Sequence, residues 1–244
     1  MRILHANKLE SATLTATTEN YNYPLGNLLV NQLALAYRAT DITVDVQAVF
    51  DSAQVVNAVG VAGHNATKIT VKYYTLSTDV VPVYHMVYNA PLDTDVLYSD
   101  NYSVEKVVVR FESSEIISVG ALFVGAYYQM PNPTAYYPEN YVITNTRTDT
   151  AFGAVYGSDG VMLREINPSF IVVSTEQYKS VIDVLKSLRN YRCLFVDMNE
   201  SNHAYKEPLY GTINMQNYNT SRDARKATRT SFMHSFSLLI REVQ

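Results

Sequence analysis

The sequence predicts a mainly β protein, with an N-terminal antiparallel β-sandwich followed by a smaller α+β domain. Three observations predict it. Short β-branched, alternating segments fill the first 130 residues, a proline cluster interrupts the chain after them, and one stretch near 174–190 carries helical periodicity.

The elements follow in order. Pro24-Leu25-Gly26-Asn27-Leu28-Leu29-Val30 comes after an Asn/Tyr/Pro cluster and is expected to make one helical turn. Ile42–Gln47 alternates polar and apolar, which predicts a strand with one wet face. Val55–Ala62 is continuously apolar, as a central strand would be. Lys68–Tyr73 and Glu105–Phe111 alternate again, and Ile116–Val124 is a second buried strand. Polar loops join these segments with little helix between them, the pattern of an antiparallel sandwich. Met130–Pro138 holds three prolines and cannot keep regular hydrogen bonding. The organisation expected is therefore a sandwich over 1–130, a Pro/Tyr linker over 131–144 and an α+β domain over 145–244.

In the second part, Ala151–Tyr156 and Val161–Ile166 read as the arms of a hairpin whose turn holds Gly157 and Gly160. Ser169–Val173 reads as a strand. Ser174, with Gln177 three residues later, marks a helix start. Tyr178, Val181, Ile182, Leu185 and Leu188 then form one apolar stripe, and Arg189, Asn190 and Arg192 end the helix. Strands are expected at Cys193–Met198, Tyr210–Met215 and Phe232–Arg241, with a polar, basic loop over 216–230.

Composition limits the function. Charged residues make up 17% of 244, below the usual quarter, and Tyr (20) far outnumbers Phe (8), with no Trp. Such a surface suits protein contacts as well as strands. Residues 1–144 carry 7 Lys/Arg against 13 Asp/Glu, or −6, and residues 145–244 carry 12 against 10, or +2. Neither part has the basic excess of a nucleic-acid binder. Cys193 is the single cysteine, so no internal disulfide forms and a cysteine zinc site is excluded. It lies in an apolar run and reads as a small core residue. No apolar run approaches ~20 residues, so no membrane insertion is expected. The N-terminal residues lack a signal-peptide core, and synthesis in a host cytoplasm is the expectation.

Catalytic and cofactor signatures are missing from the sequence. There is no Gly-x-Gly-x-x-Gly, no P-loop and no Gly-x-Ser-x-Gly elbow. His5, His64, His85, His203 and His234 are scattered without metal-ligand spacing. No enzyme, cofactor or metal is therefore expected. Asp93 and Asp95 invite a reading as paired carboxylates, but neighbours on one loop cannot flank a substrate, and a solvated loop is expected. Arg222, Arg225, Lys226 and Arg229 form the one cationic cluster and are a candidate interface with an acidic neighbour.

Residues 20–67 carry a pattern: Asn20–Leu29, then Ala36-Tyr37-Arg38-Ala39-Thr40, Val44-Asp45-Val46, and Phe50–Asn65 ending in Gly63-His64-Asn65. It resembles the discoidin-like (F5/8 type C, galactose-binding-like) jelly-roll sandwich found in many bacteriophage structural proteins, over roughly 15–128. Tyr37 stands where that family usually has Trp. The resemblance implies structural roles for Asn27, Tyr37, Arg38, His64 and Asn65. Asn27 is expected to tie its turn, Tyr37 to plug one end of the sandwich, and Arg38 to meet a carboxylate or backbone carbonyls. His64 and Asn65 are expected to finish a buried strand. Residues 145–244 more distantly resemble tail-tube and tail-tip domains through Ser169–Val173, Thr175–Arg189, Tyr191–Asp197 and Ser235–Val243. The implied function is a virion assembly protein, in the tail or tail tip, whose partners are other virion proteins and copies of itself. The alternative is recognition of cell-surface glycan or decoration of a capsid, with Tyr73, Tyr74 and Tyr84 as candidate sugar contacts. Tyr88, Tyr98 and Tyr102 belong to the same set.

Overall fold

A computed structural model describes residues 1–30, 32–90, 93–133, 139–144, 147–149, 155–157, 161–172, 174–187, 194–198, 208–222 and 232–243. The chain divides into two compact units. Unit 1 holds Met1–Met130 with Leu194–Tyr210, and unit 2 holds Pro131–Cys193 with Gly211–Val243.

In unit 1 the strands are β1 (Arg2–Leu4), β2 (Thr13–Ala16), β3 (Tyr37–Arg38), β4 (Thr43–His64), β5 (Lys68–Tyr74), β6 (Tyr84–Asn89), β7 (Thr94–Glu112), β8 (Ser118–Gly125) and β9 (Tyr127–Gln129). All their pairings are antiparallel. The two segments expected as separate strands, Ile42–Gln47 and Val55–Ala62, are one strand of 22 residues. Its register against β7 slips between Val49 and Gln54. Bulges of this kind bend a strand and increase its twist. The first half of β4 pairs with β2 and with the later half of β7, which leads on to β5 and β6. The second half pairs with the early half of β7 and with β8, which leads on to β3.

One hydrogen-bonded ribbon thus folds into two layers. A single core lies between them, drawing Val44, Val46, Ile69, Val71, Val107, Val109 and Phe111 from one half, and Val59, Val61, Leu97, Val119, Leu122 and Val124 from the other. The exposed partners on the first half are polar and paired. Arg110 grips Asp45 across the strands with two hydrogen bonds of 2.6 and 2.8 Å, and Lys68 meets Glu112 at 2.5 Å.

Val56 to Ala62 are buried without alternation because β4 is covered on both faces. The cover comes from β15 (Leu194–Asp197), which pairs with β1 as β1 pairs with β9. A Cβ on Gly60 would stand 2.8 Å from the Phe195 ring, and Phe195 meets Phe123 edge-on. The expected boundary near 130 coincides with a unit edge, but residues 194–210, expected in the second domain, belong to unit 1.

Unit 2 contains β10 (Glu139–Thr144), β11 (Arg147–Asp149), β12 (Val155–Gly157), β13 (Val161–Ile166), β14 (Ser169–Val172), α1 (Thr175–Ser187), most of β16 (Leu209–Arg222) and β17 (Phe232–Glu242). Three expectations change. Residues 139–144, expected as linker, form β10 on β13. Among the described residues the hairpin expected between 151–156 and 161–166 is not seen: β12 pairs with β11 while β13 pairs with β10. The strand expected at Tyr210–Met215 continues through Arg222 into the expected basic loop. The helix start is as the capping pattern predicts, with the Gln177 amide donating to Ser174 Oγ at 3.3 Å. Val181 and Val184 are its buried residues, and Tyr178 stacks on His234 of β17 at 4.1 Å. Leu188, Arg189, Asn190 and Cys193 lie outside the described residues.

Candidate functional site

The loop over 17–24 is fastened before it displays anything. Tyr37 is fully buried at the start of β3, and its hydroxyl donates to the Thr18 carbonyl. Burial, with the Glu19 carboxylate nearby, pushes the Tyr37 phenol up to about 12. The Leu25 amide donates to Glu19 Oε1 at 2.6 Å, holding the 3-10 turn Leu25–Leu29, and Asn27 Nδ2 donates to the Ala36 carbonyl at 3.2 Å. Between these ties, Asn20–Tyr23 closes a tight turn. Tyr23 N donates to the Asn20 carbonyl, and Asn22 N donates to Asn20 Oδ1. The side chain of Tyr21 is left in solvent, 96% exposed.

On the other side, Asn65 follows the end of β4. Its Nδ2 donates to the Ile116 carbonyl at 2.8 Å, its Oδ1 accepts from Ser118 N at 2.9 Å, and its carbonyl accepts from Ser113 Oγ. That amide is spent on fastening the 113–118 loop. Gly63, two residues earlier, takes φ +60°, a conformation that favours glycine.

Between the two fastened loops lies a cleft of ≈ 440 Å³ lined by Asn20, Arg38, Ala39, Thr40, Asn65, Ile116 and Ser118. Arg38 was expected to meet a carboxylate or carbonyls. Instead its guanidinium lies 4.2 Å from the centre of the Tyr23 ring. Among the described residues it makes no ion pair or hydrogen bond, and no carboxylate lines the cleft. Asn20 Nδ2 and Thr40 Oγ1 are likewise uncommitted there. The site therefore offers a flat, oriented cation with amide and hydroxyl groups beside it, which suits oxygen-rich, planar or polyhydroxylated ligands.

His64 does not face this cleft in its hydrogen bonding. Its Nε2 stands 3.1 Å from Asp95 Oδ2, with both side chains buried, and Tyr88 donates to Asp95 Oδ1 at 3.2 Å. Asp95 is thus not in a solvated loop, as expected, but in β7 at 1% exposure. The sequence did not mark Asp95 as the partner of His64.

The tyrosines picked as sugar contacts are mostly interior. Tyr73 is 1% exposed and stacks on Tyr84 at 4.9 Å, with Tyr102 against both. Tyr74 is buried under Lys106. Tyr98 is half-buried and donates to Asp197 at 2.8 Å, and burial with that carboxylate raises its pKa. Sequence reasoning missed Tyr21, whose only mark is its place inside an Asn-x-Asn turn. The side chains of Arg222, Arg225, Lys226 and Arg229 lie outside the described residues, as does His203. Among the described residues no group of His, Cys, Asp and Glu has the arrangement of a metal site. No described helix is long and apolar enough to cross a membrane.

No family model matches the chain. No curated protein matches it either. Solved structures do. A chitosan-binding module from a chitosanase/glucanase of Paenibacillus sp. IK-5 is 14% identical with a TM-score of 0.43, covering 50% of this chain and 100% of that one. A fucose-binding module of Streptococcus pneumoniae is 12% identical with a TM-score of 0.43, covering 50% and 95%. A fucosidase of Ruminococcus gnavus, solved with fucose, is 9% identical with a TM-score of 0.45, covering 51% and 27%. These likenesses take in half of this chain at low identity; the β-sandwich itself stands on the strand register and the shared core described above.

Proposed function

We propose that unit 1 is a glycan-binding module whose site is the cleft at Arg38. The observation that carries this reading is the guanidinium of Arg38, unpaired among the described residues and held over Tyr23 at a cleft with uncommitted amide and hydroxyl groups. Sugars are recognised by such groups, with planar donors gripping paired oxygens and an exposed ring offering an apolar face. Tyr21 supplies the ring. The site binds and does not turn over its ligand, and the chain is not an enzyme.

The test is an array of neutral, amino-bearing and carboxyl-bearing oligosaccharides, followed by titration calorimetry on the best ligand. Arg38→Ala is expected to weaken binding at least tenfold, about 1.4 kcal/mol, and Tyr21→Ala by a similar factor. The thermal melt should not move, because neither side chain enters the core. The bound oligosaccharide should keep its mass on prolonged incubation. Binding to no oligosaccharide, or binding indifferent to both substitutions, refutes the reading.

A second reading is assembly into the tail of a bacteriophage particle, which would use a different surface. Leu76, Val80, Val81 and Val83 are exposed together between β5 and β6. Antibody labelling confined to the tail of whole particles would support it.

A further inference from the structure

The cleft at Arg38 is rich in hydrogen-bond donors and short of free acceptors. A guanidinium brings N–H groups and a positive charge and has no acceptor of its own. Among the described residues the Arg38 donors are unpaired, and the Tyr23 ring, its centre 4.2 Å away, covers the group from one side. Asn20 Nδ2 adds an uncommitted amide, and the hydroxyls of Thr40 and Ser118 can turn to donate.

The acceptors around it are already engaged. Asn20 Oδ1 accepts from the Asn22 amide, and the Asn20 carbonyl accepts from Tyr23 N. The Arg38 carbonyl accepts from Asn20 N, and the Ser118 carbonyl from Asn65 N. Asn65 Oδ1 accepts from Ser118 N and its carbonyl from Ser113 Oγ, while the Ile116 carbonyl accepts from Asn65 Nδ2. No carboxylate lines the cleft. Of the acids flanking these loops, Glu19 holds the Leu25 amide and Asp41 holds the Ile42 amide. Glu115 is exposed outside the lining.

A neutral sugar presents hydroxyls that donate as well as accept, so its site needs both kinds of partner. A carboxylate only accepts. Its two oxygens match the guanidinium fork with two parallel N–H···O bonds. Donors covered by a ligand without receiving acceptors are costly, and a carboxylate avoids that cost here. We propose that the cleft selects sugars that carry a carboxylate, with Arg38 gripping the carboxylate and Asn20 and Thr40 reading the oxygens beside it. This rests on the glycan reading above and names its ligand class. The selection is local, because the chain as a whole carries net −4 and repels anions at long range.

Titration calorimetry of the full chain against oligogalacturonate, oligomannuronate and sialyllactose, each beside its methyl ester, tests it. The ester keeps the sugar and removes the charge. At least one acid is expected to bind at least about tenfold more tightly than its ester, and to weaken with added salt while the ester does not. Arg38→Gln should bring acid and ester to within about threefold of each other. Asn20→Asp keeps the acceptor for the Asn22 amide, puts a negative charge in the same cleft, and should also abolish the preference. It decides the matter if Arg38→Gln fails to fold. Acids and esters that bind alike, a preference that survives both substitutions, or binding of neutral oligosaccharides alone overturns the proposal and leaves the glycan reading standing. Binding to no oligosaccharide of any kind overturns both.

Discussion

At the scale of single residues, Tyr37 and Tyr73 show how a polar atom in a core makes stability depend on pH. Both phenols are pushed up to about 12, by burial first in each case. In the unfolded chain they would lose their protons near the ordinary value of about 10. Between these values the folded state holds more protons than the unfolded one, so stability must fall as pH rises. The contribution is whole below pH ~10 and is lost as pH climbs through 12. Urea midpoints measured from pH 8 to 12 should drop steeply above 10, and Tyr37→Phe should flatten part of that drop. At neutral pH the same substitution should cost only about 1 kcal/mol, one hydrogen bond to Thr18. A flat profile up to pH 12 would mean that these phenols are not buried as described. The candidate site was half legible at this scale. Arg38 stood out through its motif, but its freedom from any carboxylate depends on which groups the fold leaves near it. Tyr73 and Tyr74 looked like surface aromatics because alternation alone cannot tell which face of β5 is covered.

Among the elements, the presence of strands was readable and their partners were not. β5 lies close to the segment that alternation predicted, and β8 close to the continuously apolar run Ile116–Val124, because both patterns are local chemistry. Pairing is not local. The glycines around 157–160 suggested a hairpin, yet β12 and β13 each find an earlier strand instead. β4 is the most informative case. Its polar break at Asp51–Gln54 reads as a loop, while the structure uses it as a bulge that carries one strand through both layers. The two-sided burial of its second half has a sharp consequence at Gly60. A methyl group there would meet the Phe195 ring at 2.8–3.0 Å from three of its atoms. Gly60→Ala should therefore destabilise by about 1–3 kcal/mol, even though alanine suits a strand better than glycine. Pairing it with Phe195→Leu should recover part of the loss, which a double-mutant cycle in urea would read as a coupling between the two sites.

The whole molecule is organised by a return of the chain that composition does not announce. Nothing in residues 194–210 marks them as part of the first unit, and their apolar run suits any buried strand. What places them there is the need of β1 for a second neighbour and of Gly60 for a cover. Arg2 to Leu4 pair on one edge with β9 and on the other with β15, and Ile3 and Leu4 are fully buried. Phe195 packs against Phe123 and Tyr210, and Asp197 accepts the Tyr98 hydroxyl. A sandwich cut at the proline cluster would thus lose the strand that pairs with β1 and covers the outer face of β4. A fragment of residues 1–130 should expose the outer face of β4 and the free edge of β1. The lost cover includes one buried Phe, whose truncation alone costs about 3–5 kcal/mol. Against the 5–15 kcal/mol typical of a domain, that is enough to lower the melt by many degrees and to promote aggregation. Adding residues 194–210 back through a flexible linker should restore most of the stability. If the 1–130 fragment instead melts with the first transition of the full chain, the returning strand contributes nothing to the sandwich and the unit boundary belongs at Met130 alone.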